Sequence, residues 1–304
     1  MKIIENTTEF HLEKPSAVAL GKFDGIHLGH RKLLNLVLEQ KKRGFQAVVF
    51  TFDTSAAFFF GGDEKELSTR EEKRAAFAQM GIDVLIEFPL NPDTAATEPL
   101  AFVSRYLVEQ MRTVYLCAGP DISFGKGGAG DYALLAAHAP DYGYQVELID
   151  KVRVDGKEVS STRVREAVRA GEMEDAARML GAPYSISGRV VHGRELGRKL
   201  GMPTANLLPE AGKLLPPNGV YYSQILLDGK TYRGITNVGC KPTVSDEQVM
   251  GVETYLYDFE GEIYDRDITV ELLAFRREER TFDSVEALRR QIEEDVKAGR
   301  NSFF

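Results

Sequence analysis

Short apolar runs alternate with longer amphipathic segments through the first half of the chain. Residues 18–23, 47–52, 84–88, 114–117 and 146–149 are each too short for a helix and rich in Val, Ile, Leu and Phe, as strands buried on both faces are. Between them, residues 31–43, 69–80, 99–111 and 132–142 carry apolar side chains at helical spacing. This alternation predicts a doubly wound parallel sheet with flanking helices, in which ligands sit beyond the carboxyl ends of the strands. Two further helices, 162–170 and 173–180, are each closed by a glycine, Gly171 and Gly181, in the C-terminal cap position.

Beyond Ala182 the period changes. Residues 183–187 read as a linker. Strand-like runs follow around Val190 and over 220–227, 232–238, 252–259 and 268–275, with turns at Asp228-Gly229 and Glu260-Gly261. The pattern predicts a small closed β-barrel. One terminal helix follows, whose stripe of Val285, Leu288, Ile292 and Val296 would lie against it. Two domains are therefore expected, 1–182 and 183–304, in keeping with a length of 304 residues that exceeds what one core usually organises.

Composition narrows the function classes. No stretch approaches the run of about 20 apolar residues that spans a bilayer, and residues 1–14 mix Lys, Glu, Asn and His without the apolar core of a secretory signal. A soluble cytoplasmic protein without a membrane partner is expected. Cys117 and Cys240 lie far apart with no Cys-x-x-Cys spacing, so neither a disulfide framework nor a zinc site is indicated. A net charge of −8 argues against a nucleic-acid partner, since nonspecific binding requires many neutralised phosphates. Any phosphate site must be built locally. Self-association is left open.

Four segments carry candidate chemistry. Gly21-Lys22-Phe23-Asp24-Gly25-Ile26-His27-Leu28-Gly29-His30 joins the first strand to a helix. Its glycines allow close backbone approach to an anion, and the helix start offers unpaired N–H groups. On residue type alone, histidines that merely cap the helix are the commoner outcome. Val159-Ser160-Ser161-Thr162-Arg163-Val164-Arg165 opens another helix, where hydroxyls, N–H groups and a guanidinium can converge on an anion; a plain N-cap with an exposed Arg is the commoner outcome there. Gly119-Pro120-Asp121-Ile122-Ser123-Phe124-Gly125-Lys126-Gly127-Gly128-Ala129-Gly130 imitates a dinucleotide fingerprint, but it follows the fourth strand, with Asp121 to Phe124 intervening before the first Gly. The run from Gly188 to Asn206 holds Gly193, Gly197 and Gly201 among charges including Lys199, then Pro203-Thr204-Ala205-Asn206. It reads equally as a phosphate-covering flap, followed by a rigid turn with oxygen ligands for magnesium, or as a basic surface loop.

The first two segments resemble the His-x-Gly-His and Ile-Ser-Ser-Thr-x-x-Arg motifs of the nucleotidylyltransferase superfamily, in the Gly-x-Phe-Asp-Gly form of bacterial FAD synthetases, with Val159 in place of Ile. The third resembles that family's Gly-x-Asp-Phe-x-Phe-Gly loop, with Ile122 in place of Phe. The resemblance implies a Rossmann-like domain in which FMN phosphate attacks the α-phosphorus of ATP, giving FAD and pyrophosphate. His27, His30, Ser161, Thr162 and Arg165 would stabilise the phosphoryl charge with Mg2+. Gly21, Phe23, Asp24, Gly25, Gly29, Asp121, Phe124, Gly125 and Ser160 would line the ATP and flavin sites. The histidines would serve better as hydrogen-bond donors than as bases. The chain departs from the family after the second strand: Thr51-Phe52-Asp53-Thr54-Ser55-Ala56 stands where Pro-His-Pro is usual, which implies slowed adenylyl transfer or a rearranged site.

The second half resembles riboflavin kinase. Pro-Thr-Ala-Asn is followed by Pro216-Pro217-Asn218-Gly219-Val220-Tyr221, by residues 234–243, by Val252-Glu253-Thr254, and by Arg277, Glu279 and Phe282 in an Arg-x-Glu-x-x-Phe segment. The resemblance implies that Glu253 is the general base for the ribityl hydroxyl of riboflavin and that Thr204 and Asn206 hold Mg2+. Gly193, Gly197, Lys199, Gly201, Pro203, Asn237 and Arg277 would contact ATP or flavin. The whole resembles the bacterial bifunctional riboflavin kinase/FMN adenylyltransferases. Two alternatives remain: a kinase with a weak or redirected front domain, and a flavin-sensing module built on a retired kinase barrel.

Overall fold

The computed structural model describes residues 1–54, 59, 61–62, 65–192, 204–242 and 248–302. By packing, the chain divides into two compact units, Met1–Ser161 and Thr162–Phe304.

In the first unit, six strands form one parallel sheet: β1 (Lys2–Glu5), β2 (Ser16–Leu20), β3 (Gln46–Phe52), β4 (Val84–Phe88), β5 (Thr113–Ala118) and β6 (Gln145–Leu148), in the order β1-β4-β3-β2-β5-β6. β2 and β4 are buried along their whole length, as the unbroken apolar runs predict. Alternate residues feed opposite faces: Val18, Val48 and Ile86 enter one core while Ala17, Val49 and Leu85 enter the other. The helices are α1 (Leu28–Glu39), α2 (Arg70–Met80), α3 (Pro92–Ala95), α4 (Pro99–Ala101), which runs on as a π-helix over Phe102–Gln110, and α5 (Tyr132–Tyr142). Thr69 and Glu72 close a reciprocal capping box at the start of α2, which fixes that boundary. From β2 the chain winds to β3 and β4 on one side and later to β5 and β6 on the other, so the order reverses between β2 and β5. A crevice opens at such a point beyond the carboxyl ends of the strands. β1 lies outside the expected strand set, and so does the small hairpin β7 (Arg153–Val154) and β8 (Lys157–Glu158).

The second unit begins with α6 (Ser161–Ala170, apart from its first residue) and α7 (Met173–Leu180). Six antiparallel strands then close a barrel: β9 (Tyr184–Val191), β10 (Thr204–Leu207), β11 (Gly219–Leu227), β12 (Lys230–Pro242), β13 (Gln248–Leu256) and β14 (Asp267–Arg277), in the order β10-β13-β12-β11-β14-β9. Residues 183–187, expected as a linker, lie largely in β9, because Tyr184 and Ile186 alternate into the core. Asp228 and Gly229 both have positive φ, 51° and 73°, as a two-residue type I′ hairpin requires. After β13 the turn falls at Tyr257 and Asp258, ahead of the expected Glu260-Gly261.

The terminal helix α8 (Val285–Ser302) lies against the outside of the barrel, where Val296 and Ala298 pack on a cluster of Val220, Tyr222, Ile235, Tyr257 and Ala274. Val285, expected in the apolar stripe, is 47% exposed, and the buried positions of that face are Asp295 and Gly299.

Candidate active sites

The loop after β2 is bent by three residues with positive φ, Phe23 (52°), Gly25 (83°) and Ile26 (41°). Such a conformation costs a non-glycine residue about 1–3 kcal/mol and persists only where the surroundings enforce it. Here the ring of Phe23, fully buried, packs edge-on to Phe77 at 5.6 Å. The bend delivers His27 to the N-cap of α1, where its Nδ1 accepts from the His30 N–H at 3.3 Å. An accepting Nδ1 puts the proton of the neutral ring on Nε2. The two imidazoles stack, with centroids 3.7 Å apart and planes 14° from parallel. Gly29 permits this, since a Cβ there would stand 3.1 Å from His27 Cε1. Burial draws the His27 pKa down to about 4. Burial first, and then the neighbouring His27, hold His30 well below the usual imidazole value. Both rings are therefore neutral near pH 7.

Asp24 braces the same turn: its carboxylate accepts from the Ser68 N–H at 3.1 Å, and its carbonyl accepts from Ser161 Oγ at 2.8 Å. Ser160 is exposed beside it. Thr162, exposed, and Arg165, half-buried, continue along α6 within the second compact unit. In the loop after β5, Phe124 and Gly130 exchange two backbone hydrogen bonds of 3.0 and 2.9 Å. Gly125 (φ 69°) lies so close to the backbone of Pro99 that a Cβ would meet its Cα at 2.9 Å. The Phe124 ring packs inward on Phe102 at 5.2 Å, whereas Asp121 points outward to Lys151, 2.9 Å away.

These loops enclose a cleft of about 310 Å3 at the carboxyl ends of the strands, lined by Gly21, Phe23, His27, Gly29, His30, Phe52, Phe102, Asp121, Phe124, Lys151, Ser160 and Ser161 among others. That volume is at the lower end of small-molecule sites. Where the sequence lacks Pro-His-Pro, the Asp53 carboxylate accepts from the Leu90 N–H at 3.0 Å, and residues 55–58 lie outside the described residues.

On the barrel, register gathers the second set. Asn206 on β10 pairs with Glu253 on β13, which pairs with Asn237 on β12, which pairs with Val220 on β11, which pairs with Arg277 on β14. Directly opposed residues share a face of a sheet, so Asn206, Glu253 and Asn237 form one row. Thr204 Oγ1 donates to Glu253 Oε1 at 2.5 Å, and Asn206 Nδ2 donates to the Thr204 carbonyl at 3.4 Å. The segment expected as a rigid turn is thus a strand from Thr204 onward, in which Thr204 and Asn206 share one face and Ala205 and Leu207 the other; Asn206, like Ala205 and Leu207, is buried. Asn237 Nδ2 donates to Glu279 Oε1 at 2.9 Å. Gly239 makes room for that carboxylate, since a Cβ there would fall 2.0 Å from Glu279 Oε1.

Arg277 is engaged within the protein: its Nε donates to Asp295 Oδ2 at 2.8 Å and its Nη1 to the Glu278 carbonyl at 3.0 Å. Gly193, Gly197, Lys199, Gly201 and Pro203 lie outside the described residues. Sequence reasoning passed over Asp295, although a carboxylate three residues after Ile292 in an apolar stripe signals a buried partner. It also passed over Lys151, which no motif marks. Among the described residues no three His, Cys, Asp or Glu side chains gather as a metal site, and no helix is long and apolar enough to cross a membrane.

Comparison with known proteins matches both halves. The FAD synthetase family matches residues 10–163 and the riboflavin kinase family residues 180–303. A bifunctional riboflavin kinase/FMN adenylyltransferase of Listeria monocytogenes is 34% identical over 301 residues, covering 98% of this chain and 95% of that protein. One from Escherichia coli K12 is 35% identical over 290 residues, covering 94% and 92%. A crystal structure described as a macrolide-efflux protein from Streptococcus pneumoniae matches at a TM-score of 0.87 and 29% identity, covering 98% of each chain. The efflux description belongs to that protein, which is similar in fold to this chain. With a parallel-sheet domain and a closed barrel each matched to its own enzyme family, the chain belongs to the bifunctional riboflavin kinase/FMN adenylyltransferase family.

Proposed function

We propose that the barrel transfers the γ-phosphoryl group of ATP to riboflavin, giving FMN and ADP, and that the α/β domain then joins FMN to the AMP portion of a second ATP, giving FAD and pyrophosphate. The observation that carries this reading is the row of Asn206, Glu253 and Asn237 with Thr204 hydrogen-bonded to Glu253, in a chain that also holds the His27–His30 stack at the reversal point of a parallel sheet.

In the barrel, Glu253 takes the proton of the ribityl hydroxyl as the oxygen bonds to phosphorus. A carboxylate suffices because the hydroxyl becomes acidic only as that bond forms. The Thr204 O–H donates to Glu253 and aims it, while the Thr204 oxygen keeps lone pairs for a cation. Hydroxyl, amide and carboxylate oxygens suit Mg2+, which keeps most of its shell as water and phosphate; Thr204 and Asn206 would hold it. When bound, the ion neutralises charge on the phosphates. Gly193, Gly197, Lys199, Gly201 and Pro203 would cover the phosphates, and Asn237 and Arg277 would border the flavin.

In the front cleft no covalent intermediate is required, and catalysis consists of alignment and charge stabilisation. The Nε2–H of His27 is the donor its tautomer leaves for a phosphoryl oxygen. His30 and Ser161 share that role. The aromatic wall of Phe52 and Phe102 offers an apolar face to a flat ring. The front activity is assigned to residues 1–182 and the kinase to 183–304, in the cytoplasm, without a nucleic-acid or membrane partner; neither residue set calls for a second copy of the chain.

The test is a time course with riboflavin, ATP and Mg2+: FMN should rise first and FAD follow. The missing Pro-His-Pro and the structural use of Asp53 favour one second reading, a kinase with a redirected front domain. FMN accumulating without FAD would establish that reading, and flavin binding without turnover would defeat both.

A further inference from the structure

The front reaction brings a triphosphate and a flavin phosphate into one cleft, yet its two histidines are neutral near pH 7. Among the described residues lining the cleft, the cations are Lys22 and Lys151. Lys151 follows the last strand of the sheet, at the carboxyl end where phosphates belong. Its Nζ is shared between Asp121 Oδ2 at 2.9 Å, on the loop after β5, and Glu158 Oε2 at 3.1 Å, on β8.

The two partners are unequal. The Asp121 side chain is 79% exposed and the Glu158 side chain 45%. An exposed pair of this kind is weak because water screens it. A substrate phosphate with two negative charges is the better partner for an ammonium group. Glu158, on the hairpin β7–β8, keeps its hold on the ammonium group while Asp121 gives way to the phosphate.

We propose that Lys151 is a phosphate-binding residue of the adenylyl-transfer cleft, paired with Asp121 and passed to a substrate phosphate on binding. This assignment rests on the adenylyl-transfer reading above. The phosphate belongs either to FMN or to ATP, and kinetics separate the two.

The experiment measures FAD formation from supplied FMN and ATP for the full chain and for Lys151→Gln, Lys151→Arg and Asp121→Asn, varying each substrate in turn. Lys151→Gln should raise KM for one substrate by about tenfold or more, the loss expected for a hydrogen bond to a charged group. Lys151→Arg should recover most of it. Asp121→Asn should lower the same KM by up to about fivefold, because the competitor for the ammonium group is gone. A rise confined to FMN identifies the flavin phosphate, and a rise confined to ATP identifies the nucleotide. Riboflavin phosphorylation and the melting curve of each variant serve as the folding control.

The assignment is overturned if Lys151→Gln leaves both KM values unchanged in a protein that makes FAD. It is equally overturned if Asp121→Asn raises the KM that Lys151→Gln raises, since the bridge would then be a tie between loop and hairpin. Wild-type protein that forms no FAD would instead remove the adenylyl-transfer reading itself.

Discussion

Asp295→Asn tests whether the terminal helix holds the kinase site together. The Asp295 carboxylate is 1% exposed and sits 2.8 Å from Arg277 Nη2, whose side chain is 13% exposed, and 3.4 Å from Arg276 Nε, whose side chain is 39% exposed. Gln291 Nε2 adds a third donor at 3.3 Å. Removing one partner of a buried ion pair leaves the other uncompensated and costs about 3–5 kcal/mol. Arg277 keeps its bond to the Glu278 carbonyl, so the lower end, roughly 3 kcal/mol, applies. In a unit of this size each kcal/mol moves the melting temperature by about 2–4 °C, giving a fall of roughly 6–12 °C. The assay is thermal unfolding of wild type and variant, followed by both activities well below the transition. Arg277 leads directly to Glu279, the partner of Asn237. Riboflavin phosphorylation should therefore weaken while FAD formation from supplied FMN persists. A melting shift below about 2 °C would show that the pair is solvated and that the reasoning from burial is wrong.

Three further outcomes follow from the same geometry. Gly239→Ala would drive Glu279 from its place, because the new Cβ would lie 2.0 Å from Oε1; kcat/KM for riboflavin should fall by about tenfold, and an unchanged value would remove the Asn237–Glu279 bond from the site. Gly130→Ala would put a Cβ 2.4 Å from the Phe124 ring, an overpacking that costs about 1–3 kcal/mol; urea unfolding of the front unit should show it, and no change in midpoint would mean the loop repacks freely. The depressed His27 and His30 values mean that the unfolded chain binds more protons than the folded one below about pH 6.5. Stability from these groups is thus fully present above about pH 6.5 and is lost as pH falls through the folded value of about 4 for His27. FAD formation should show no inflection near the free-imidazole pKa, and one found there and abolished in His27→Ala would contradict the neutral pair.

Much of the fold was legible because period reports burial. Four of the six sheet strands, β2 to β5, are mainly apolar runs buried along nearly their whole length, and β14 alternates as a half-buried strand does; β6, expected as another buried run, is instead largely exposed because it lies at the sheet edge with Gln145 and Glu147 in it. β1 was not legible, since Lys2, Ile3 and Glu5 are exposed at the sheet edge and only Ile4 is buried. The turn assigned to Pro-Thr-Ala-Asn failed because proline and asparagine outweighed the alternation of Ala205 and Leu207. At the front site the His pair and Ser161 were readable as residue types at fixed spacing. The neutrality of the two imidazoles was not, because it comes first from burial, and for His30 also from the neighbouring His27. Nor could sequence reveal that Arg277 is committed to Asp295: that pairing joins a strand end to a distant helix.

The central claim is that two chemically separate sites reside in one chain, and complementation tests it most directly. Glu253→Gln and His30→Ala are each given riboflavin, ATP and Mg2+, alone and then mixed. Alone, the first should form no FMN and the second should stop at FMN; mixed, they should make FAD, because FMN released by one is consumed by the other. A mixture that still stops at FMN, although Glu253→Gln converts supplied FMN to FAD, would show that the flavin cannot pass through solution between independent sites. Loss of both activities in either properly folded single variant would contradict the separation itself.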